Sequence, residues 1–311
     1  MSVKPRKDIA VSVRQRLLNL ARAGGEEYQI VLSRYVRERF LYRLARSEHA
    51  DRFVLKGAML FLVWSGALHR VTRDIDLLGY GEIGEEALRA VAQDICTVRV
   101  SDDGVAFAPE RIVTERIRSG QEYEGIRLRI TAHLGSAVVS FRVDVGFGDD
   151  VTPSPRLETF PALLDFEAPR VRIYPRETVI AEKFQTMVQR GIANSRMKDY
   201  YDLAYLVGAF DFEGEVLVQA IRRTFERRNT LVPSGIPVAL SEAWMEDAAK
   251  RRQWRAFLQK SRLGDDDLKE VVELLASFLM PPAQAVNAGA PFPHKWLAGK
   301  GWTSVSGTMH D

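Results

Sequence analysis

The chain has 311 residues, room for one large domain or two smaller ones; at 46% hydrophobic and 27% charged it has the balance of an ordinary globular protein, which sets aside the collagen-like and disordered classes. A single cysteine, Cys96, excludes a disulfide framework and points to a reducing cytoplasm, and no apolar run approaches the roughly 18 residues of a membrane span. The net charge of +3 is uneven: residues 1–50 carry 11 Lys/Arg against 5 Asp/Glu, a balance of +6, which suits either a surface for a phosphate backbone or a solvated helical face.

In chain order, "MSVKPRKDIAVSVRQRL" lacks a long apolar core, so export is not expected. Residues 5–23 and 26–47 read as helices separated by "AGGEE", the second with Val31, Tyr35, Leu41 and Leu44 at near-helical spacing. "RFVLKG" (52–57) is a short strand ending at Gly57, and "AMLFLVWSGAL" (58–68), apolar on nearly every side, is a buried helix. "RDIDLLG" is the next strand, and "GEEALRAVAQDICTVRV" an amphipathic helix. "RIVTERIRS", "YEGIRLRITAHL" and "AVVSFRVDVGFGD" alternate with period two, as antiparallel strands do. "VTPSPRLETFPALLDF" (151–166), with three prolines, reads as a connection. Helices follow at 177–190, 198–209, 213–228, 239–260 and 265–279. The Pro-, Gly- and Ala-rich end reads as a loose tail. The expected fold class is α+β, with an all-helical C-terminal half.

The chemistry concentrates at "RVTRDIDLLGYG". On a strand, residues i and i+2 share a face, so Asp74 and Asp76 stand side by side and repel unless a cation lies between them. Hard oxygen ligands suit Mg²⁺, with Mn²⁺ as the alternative ion, and the flanking Ile75, Leu77 and Leu78 argue against a merely solvated strand. Gly57, at a strand-to-helix turn, lets backbone approach a phosphate closely. In "FRVDVGF", Arg142 and Asp144 share the polar face; if this strand lies beside the Asp-Ile-Asp strand, Asp144 is a third metal carboxylate, and otherwise it is an exposed polar residue. In "ETVIAEKFQTMVQRG", Ile180, Phe184, Met187 and Val188 make an apolar stripe on which Lys183 also falls. It either snorkels past the core edge or faces an anionic ligand, and Lys183→Met would then fill the stripe and stabilise the chain. Asp199 and Asp202 share a helix face; Asp199 can be a structural N-cap, whereas Asp202 lies within the first turn.

Four blocks, "ERFLYRLARSEHADRFVLKGAMLFLVW", "RVTRDIDLLG", "FRVDVGFGD" and "AEKFQTMVQRGIANSRMKDYYDL", together resemble the AbiEii/MenT group of nucleotidyltransferase toxins in the DNA polymerase β superfamily, over roughly residues 26–210. The resemblance implies a polymerase-β-like mixed sheet flanked by helices and a helical C-terminal lobe; with the composition of the end, the expected division is 1–165, a helical lobe over 166–280 and a loose tail over 281–311. It also implies the toxin of a toxin–antitoxin or abortive-infection pair, with an AbiEi-like antitoxin. On it, Asp74 and Asp76 are the metal pair, Lys183 the nucleotide-contacting lysine, and Asp199 or Asp202 a downstream catalytic acid. The expected reaction moves a nucleotide from an NTP to RNA, the 3′ acceptor end of tRNA in well-studied relatives. A protein or small-molecule acceptor, or a GTP-binding module without catalysis, are the alternatives. Where many superfamily members carry Gly-Ser or Gly-Gly at the turn, this chain has Lys56-Gly57-Ala58, so the phosphate cradle relies on backbone N–H groups and Lys56. The basic N-terminal region nominates Arg34, Arg37, Arg39 and Arg43 as contacts for RNA.

Overall fold

The computed structural model describes residues 9–67, 70, 72–81, 84–119 and 123–304. The chain forms two compact units, Met1–Gly148 with Arg156–Ile173, and Asp149–Pro155 with Tyr174–Asp311. The first unit therefore closes at Ile173, later than the expected boundary at residue 165, because β-structure continues past the proline-rich stretch.

The first unit opens with α1 (Ile9–Gly24) and α2 (Tyr28–Arg46), followed by β1 (Phe53–Lys56), α3 (Leu60–Ser65), β2 (Asp74–Gly79) and α4 (Glu85–Thr97). Then come β3 (Val105–Phe107), β4 (Val113–Ser119), β5 (Tyr123–Leu134), β6 (Ala137–Phe147), β7 (Arg156–Thr159) and β8 (Arg170–Ile173). They make one mixed sheet in the order β3-β5-β6-β2-β1-β8-β7, with β4 also on β5. The pairs β2–β6 and β1–β8 are parallel and the other pairs antiparallel. Period-two alternation sorts the side chains. Ile75, Leu77, Phe141, Val143, Val145, Leu128 and Ile130 are buried on one face, where the Phe40 ring of α2 meets Phe141 edge-on at 5.6 Å. Alternation in the sequence predicts β4, β5 and β6, whereas β7 lies in the stretch expected to be a connection. A three- or four-residue strand offers too few alternations to see.

The helix expected over 58–68 is shorter: a 3-10 turn over Gly57–Met59 leads into α3, which Gly66 ends at φ 72°. Residues 68 and 69 lie outside the described residues.

The arginines in the middle of α2 are not a surface. Arg37, Arg39 and Arg43 are buried, so the expectation that they grip RNA is corrected. Arg43 forks onto Asp103 at 2.8 and 3.1 Å, Arg39 donates to the Glu167 carbonyl at 2.7 Å, and Arg34 pairs with Glu26. Spacing could not show this for Arg39 and Arg43, whose partners Glu167 and Asp103 are distant in sequence, while Arg37 turns back onto the Ser33 carbonyl at 3.2 Å. Glu38 belongs to the same cluster, 3.4 Å from Arg39 and accepting from the Leu163 N–H at 2.7 Å. Burial pushes its carboxyl up to about 7, against the lowering pull of that N–H and of Arg39. A raised folded pKa means the folded state binds the proton more tightly, so this contribution is full below the unfolded value and is lost as pH rises through about 7. Between pH 5 and pH 8 the wild-type Tm should therefore fall a few degrees more than that of Glu38→Gln; parallel melting curves in differential scanning calorimetry would contradict it.

The second unit contains α5 (Arg176–Arg190), α6 (Met197–Ala209), β9 (Phe212–Glu213), α7 (Gly214–Arg227), α8 (Glu242–Glu246), α9 (Ala248–Ser261), α10 (Leu268–Ala288), β10 (His294–Leu297) and β11 (Gly301–Ser304). The helix expected over 239–260 is two, because the Asp247 side chain accepts from the Ala249 and Lys250 N–H groups and starts α9 afresh. The loose tail is corrected over 281–304. Here α10 runs on through Pro281 and Pro282, and β10 and β11 form a hairpin that joins β9. Pro282 cannot donate to the carbonyl four residues back, Phe278, and the Trp302 indole on β11 supplies that hydrogen bond at 3.0 Å. Trp296 on β10 donates to the Val207 carbonyl at 2.9 Å, which ties the hairpin to α6. Residues 305–311 of the expected tail lie outside the described residues.

Candidate active site

β2 lies inside the sheet, between β1 and β6, and its register assembles a polar face. Asp76 is opposite Lys56 on β1 and opposite Asp144 on β6; Asp74 is opposite Arg142; Asp144 is in turn opposite Arg127 on β5. The parallel β2–β6 pairing thus places Asp144 beside Asp76, the condition on which its expected role depended. The face carries Lys56, Asp74, Asp76, Arg142, Asp144, Arg127 and Arg129, and the side turned away carries the core.

Gly57 sits directly under Asp76. Its φ of 74° favours glycine, and a Cβ there would lie 2.1 Å from Asp76 Oδ2. The turn is therefore glycine twice over, for its backbone and for the carboxylate resting on it. Lys56 reaches across β2, with Nζ 4.0 Å from where a Cβ would stand on Gly146 of β6. Ala58 is buried beneath the turn.

Two carboxylates are forked by arginines. Arg142 donates to Asp74 at 2.7 and 3.1 Å, and Arg127 to Asp144 at 2.8 Å through both nitrogens. The hydrogen bond to Asp144 is the main cause holding the Arg127 guanidinium above its ordinary range. The sequence predicts Arg142 on this face, and the structure adds Arg127. Its signal was the alternation of "IRLRIT", which sends Arg127 and Arg129 to the same side. Among the described residues, the three ligand atoms that converge within 4.8 Å of one another belong elsewhere, to Glu48, His49 and Asp94.

In the second unit Lys183, partly exposed, is not alone on its stripe. Its ammonium donates to Asp199 at 2.6 Å and to Asp202 at 2.9 Å, both carboxylates being 1% exposed. Burial alone would raise Asp199, but Lys183 and Arg196 outweigh it and hold the carboxyl below its ordinary range. Asp199 and Asp202, between which the sequence does not choose, both accept from the same lysine.

The mixed sheet accompanied by helices, with its central acidic strand beside a glycine turn, is the arrangement expected of a polymerase-β-like nucleotidyltransferase. The chain matches the family described as "Nucleotidyl transferase AbiEii toxin, Type IV TA system" over residues 39–279 and belongs to that family. It is accordingly a nucleotidyltransferase, with an NTP as substrate and an antitoxin as the other half of its system. Two crystal structures from Helicobacter pylori are similar: JHP933, at 13% identity over 85% of this chain and 94% of that one with a TM-score of 0.45, and a protein proposed to be a nucleotidyltransferase, at 13% identity over 85% and 96% with a TM-score of 0.43. No curated protein is similar enough in sequence to count as a relative. No helix among the described residues is long and apolar enough to cross a membrane.

Proposed function

We propose that this toxin transfers a nucleoside monophosphate from an NTP to RNA, with the tRNA 3′ acceptor end as the preferred site, and so blocks translation. The observation that carries the reading is the register that sets Asp74, Asp76 and Asp144 on one face over Gly57. The new bond joins the acceptor hydroxyl oxygen to the α-phosphorus; the α–β bridge breaks and pyrophosphate leaves.

The residues fit a hard divalent cation. The donors are carboxylate oxygens only, and the arginine forks show that two of them already attract positive charge. When bound by Asp74, Asp76 and Asp144, Mg²⁺ or Mn²⁺ supplies a lowered pKa for the attacking hydroxyl and neutralises charge on the phosphates. The chain does the rest. Gly57 gives Asp76 its place, the backbone of the Lys56–Ala58 turn approaches the phosphates, and Lys56 offsets their charge. For Lys183 we propose two duties, neutralising Asp199 and Asp202 and contacting the nucleotide, since its side chain keeps 16% exposure beside carboxylates that have almost none.

RNA as acceptor is supported by α9. Its sequence "AAKRRQWRAFLQKS" has no acid, and Arg251, Arg252, Arg255 and Lys260 are exposed, whereas Lys250 is buried on the Asn194 carbonyl at 2.8 Å. Arg222, Arg223 and Arg227 of α7 are exposed as well. These replace the buried arginines of α2 as the phosphate-binding candidates. The reaction belongs to the cytoplasm, where RNA and an AbiEi-like antitoxin would be met.

The test is incubation with total cellular RNA, Mg²⁺ and each α-labelled NTP in turn, followed by gel separation. Label in tRNA-sized RNA, falling steeply with salt, is expected. Label in protein or small molecules alone, or NTP binding with no transfer, would replace the RNA reading with one of its alternatives.

A further inference from the structure

Two of the three carboxylates of the proposed metal site are neutralised by guanidinium groups of the neighbouring strands. Both pairs are bidentate, at 2.7–3.1 Å, and both come from residues directly opposite in the ladder: Arg142 on Asp74 and Arg127 on Asp144. The four side chains are 20–42% exposed, so the pairs border solvent and can open without exposing core. A planar guanidinium also matches two phosphate oxygens as well as it matches a carboxylate. Resting on the metal-site face, each fork needs only a side-chain rotation to meet a phosphate bound there.

We propose that Arg142 and Arg127 are triphosphate ligands parked on the metal-binding aspartates. Each guanidinium holds its carboxylate until a divalent cation takes that carboxylate, and the released fork binds the phosphates of the incoming nucleotide. The proposal rests on the metal-dependent transfer described above and adds two residues to the nucleotide site. It makes metal and triphosphate bind cooperatively. Metal alone must displace both forks, and triphosphate alone finds them occupied, whereas together each frees what the other needs.

The measurement is Mn²⁺ binding to the nucleotide-free protein by electron paramagnetic resonance, for wild type, Arg142→Gln, Arg127→Gln, Arg142→Lys and Asp76→Asn, each checked for an unchanged thermal transition. A second titration uses inorganic tripolyphosphate at saturating Mn²⁺. Each Gln variant should bind Mn²⁺ about tenfold more tightly than wild type and bind Mn²⁺–tripolyphosphate more weakly, with Arg142→Lys in between. Asp76→Asn should lose Mn²⁺ binding. If Asp76→Asn loses the metal while both Gln variants bind Mn²⁺ no better than wild type, the parked-ligand proposal falls and the metal site stands. If Asp76→Asn binds Mn²⁺ like wild type, the metal site is misplaced and both fall.

Discussion

Replacing Lys183 by methionine should destabilise the protein by about 3 kcal/mol or more, because it takes from the buried Asp199 and Asp202 the ammonium that both accept from. Filling the apolar stripe, which on spacing alone promises a gain, is outweighed. Asp199 keeps Arg196, but Asp202 loses the partner at 2.9 Å and is 1% exposed. Chemical denaturation of Lys183→Met, Asp202→Asn and the double variant measures the coupling. The double variant should recover part of the loss, since an amide costs less to bury than an unmatched carboxylate. A Lys183→Met protein as stable as wild type would show that the ammonium does not hold the triad, and would leave nucleotide contact as its sole proposed duty.

Gly57→Ala should lower transfer by about 100-fold, the scale of loss when a reacting group is displaced by an ångström. The new Cβ would stand 2.1 Å from Asp76 Oδ2 and 2.7 Å from its Cγ, so the carboxylate must move. The left-handed backbone adds a cost of about 1–2 kcal/mol for any L side chain. Gly66 separates the two effects. It has a similar φ of 72°, and a Cβ there meets nothing within 4 Å. Gly66→Ala should therefore lose stability and keep transfer, and Gly57→Ala should lose both. Equal transfer rates in the two variants would detach Gly57 from the site.

The acidic strand was legible because its chemistry is local. Asp74 and Asp76 show their shared face from spacing, Gly57 from its place between strand and helix, and Asp144 from alternation; the structure adds the register that makes them neighbours. What spacing could not carry was the partner of each charge. Arg37, Arg39 and Arg43 read as surface because a helix with arginines on several sides is normally solvated, and only the fold brings Asp103 and Glu167 against Arg39 and Arg43. Lys183 read as an anomaly for the same reason, its two acids lying a helix away. The tail misled differently. Pro281 and Pro282 are sound stop signals, and α10 continues because Trp302, twenty residues beyond Pro282, replaces the missing donor. Composition cannot reveal a repair made by one side chain.

The most direct measurement is transfer of label from α-labelled NTP to RNA by wild-type and Asp76→Asn protein at equal concentration and matched thermal transition. Asp76→Asn removes one carboxylate charge and keeps the shape, so the fold should persist. Label should enter RNA with wild type and fall to background with the variant. A variant that folds like wild type and labels RNA at the wild-type rate would contradict the assignment of this strand as the site of transfer.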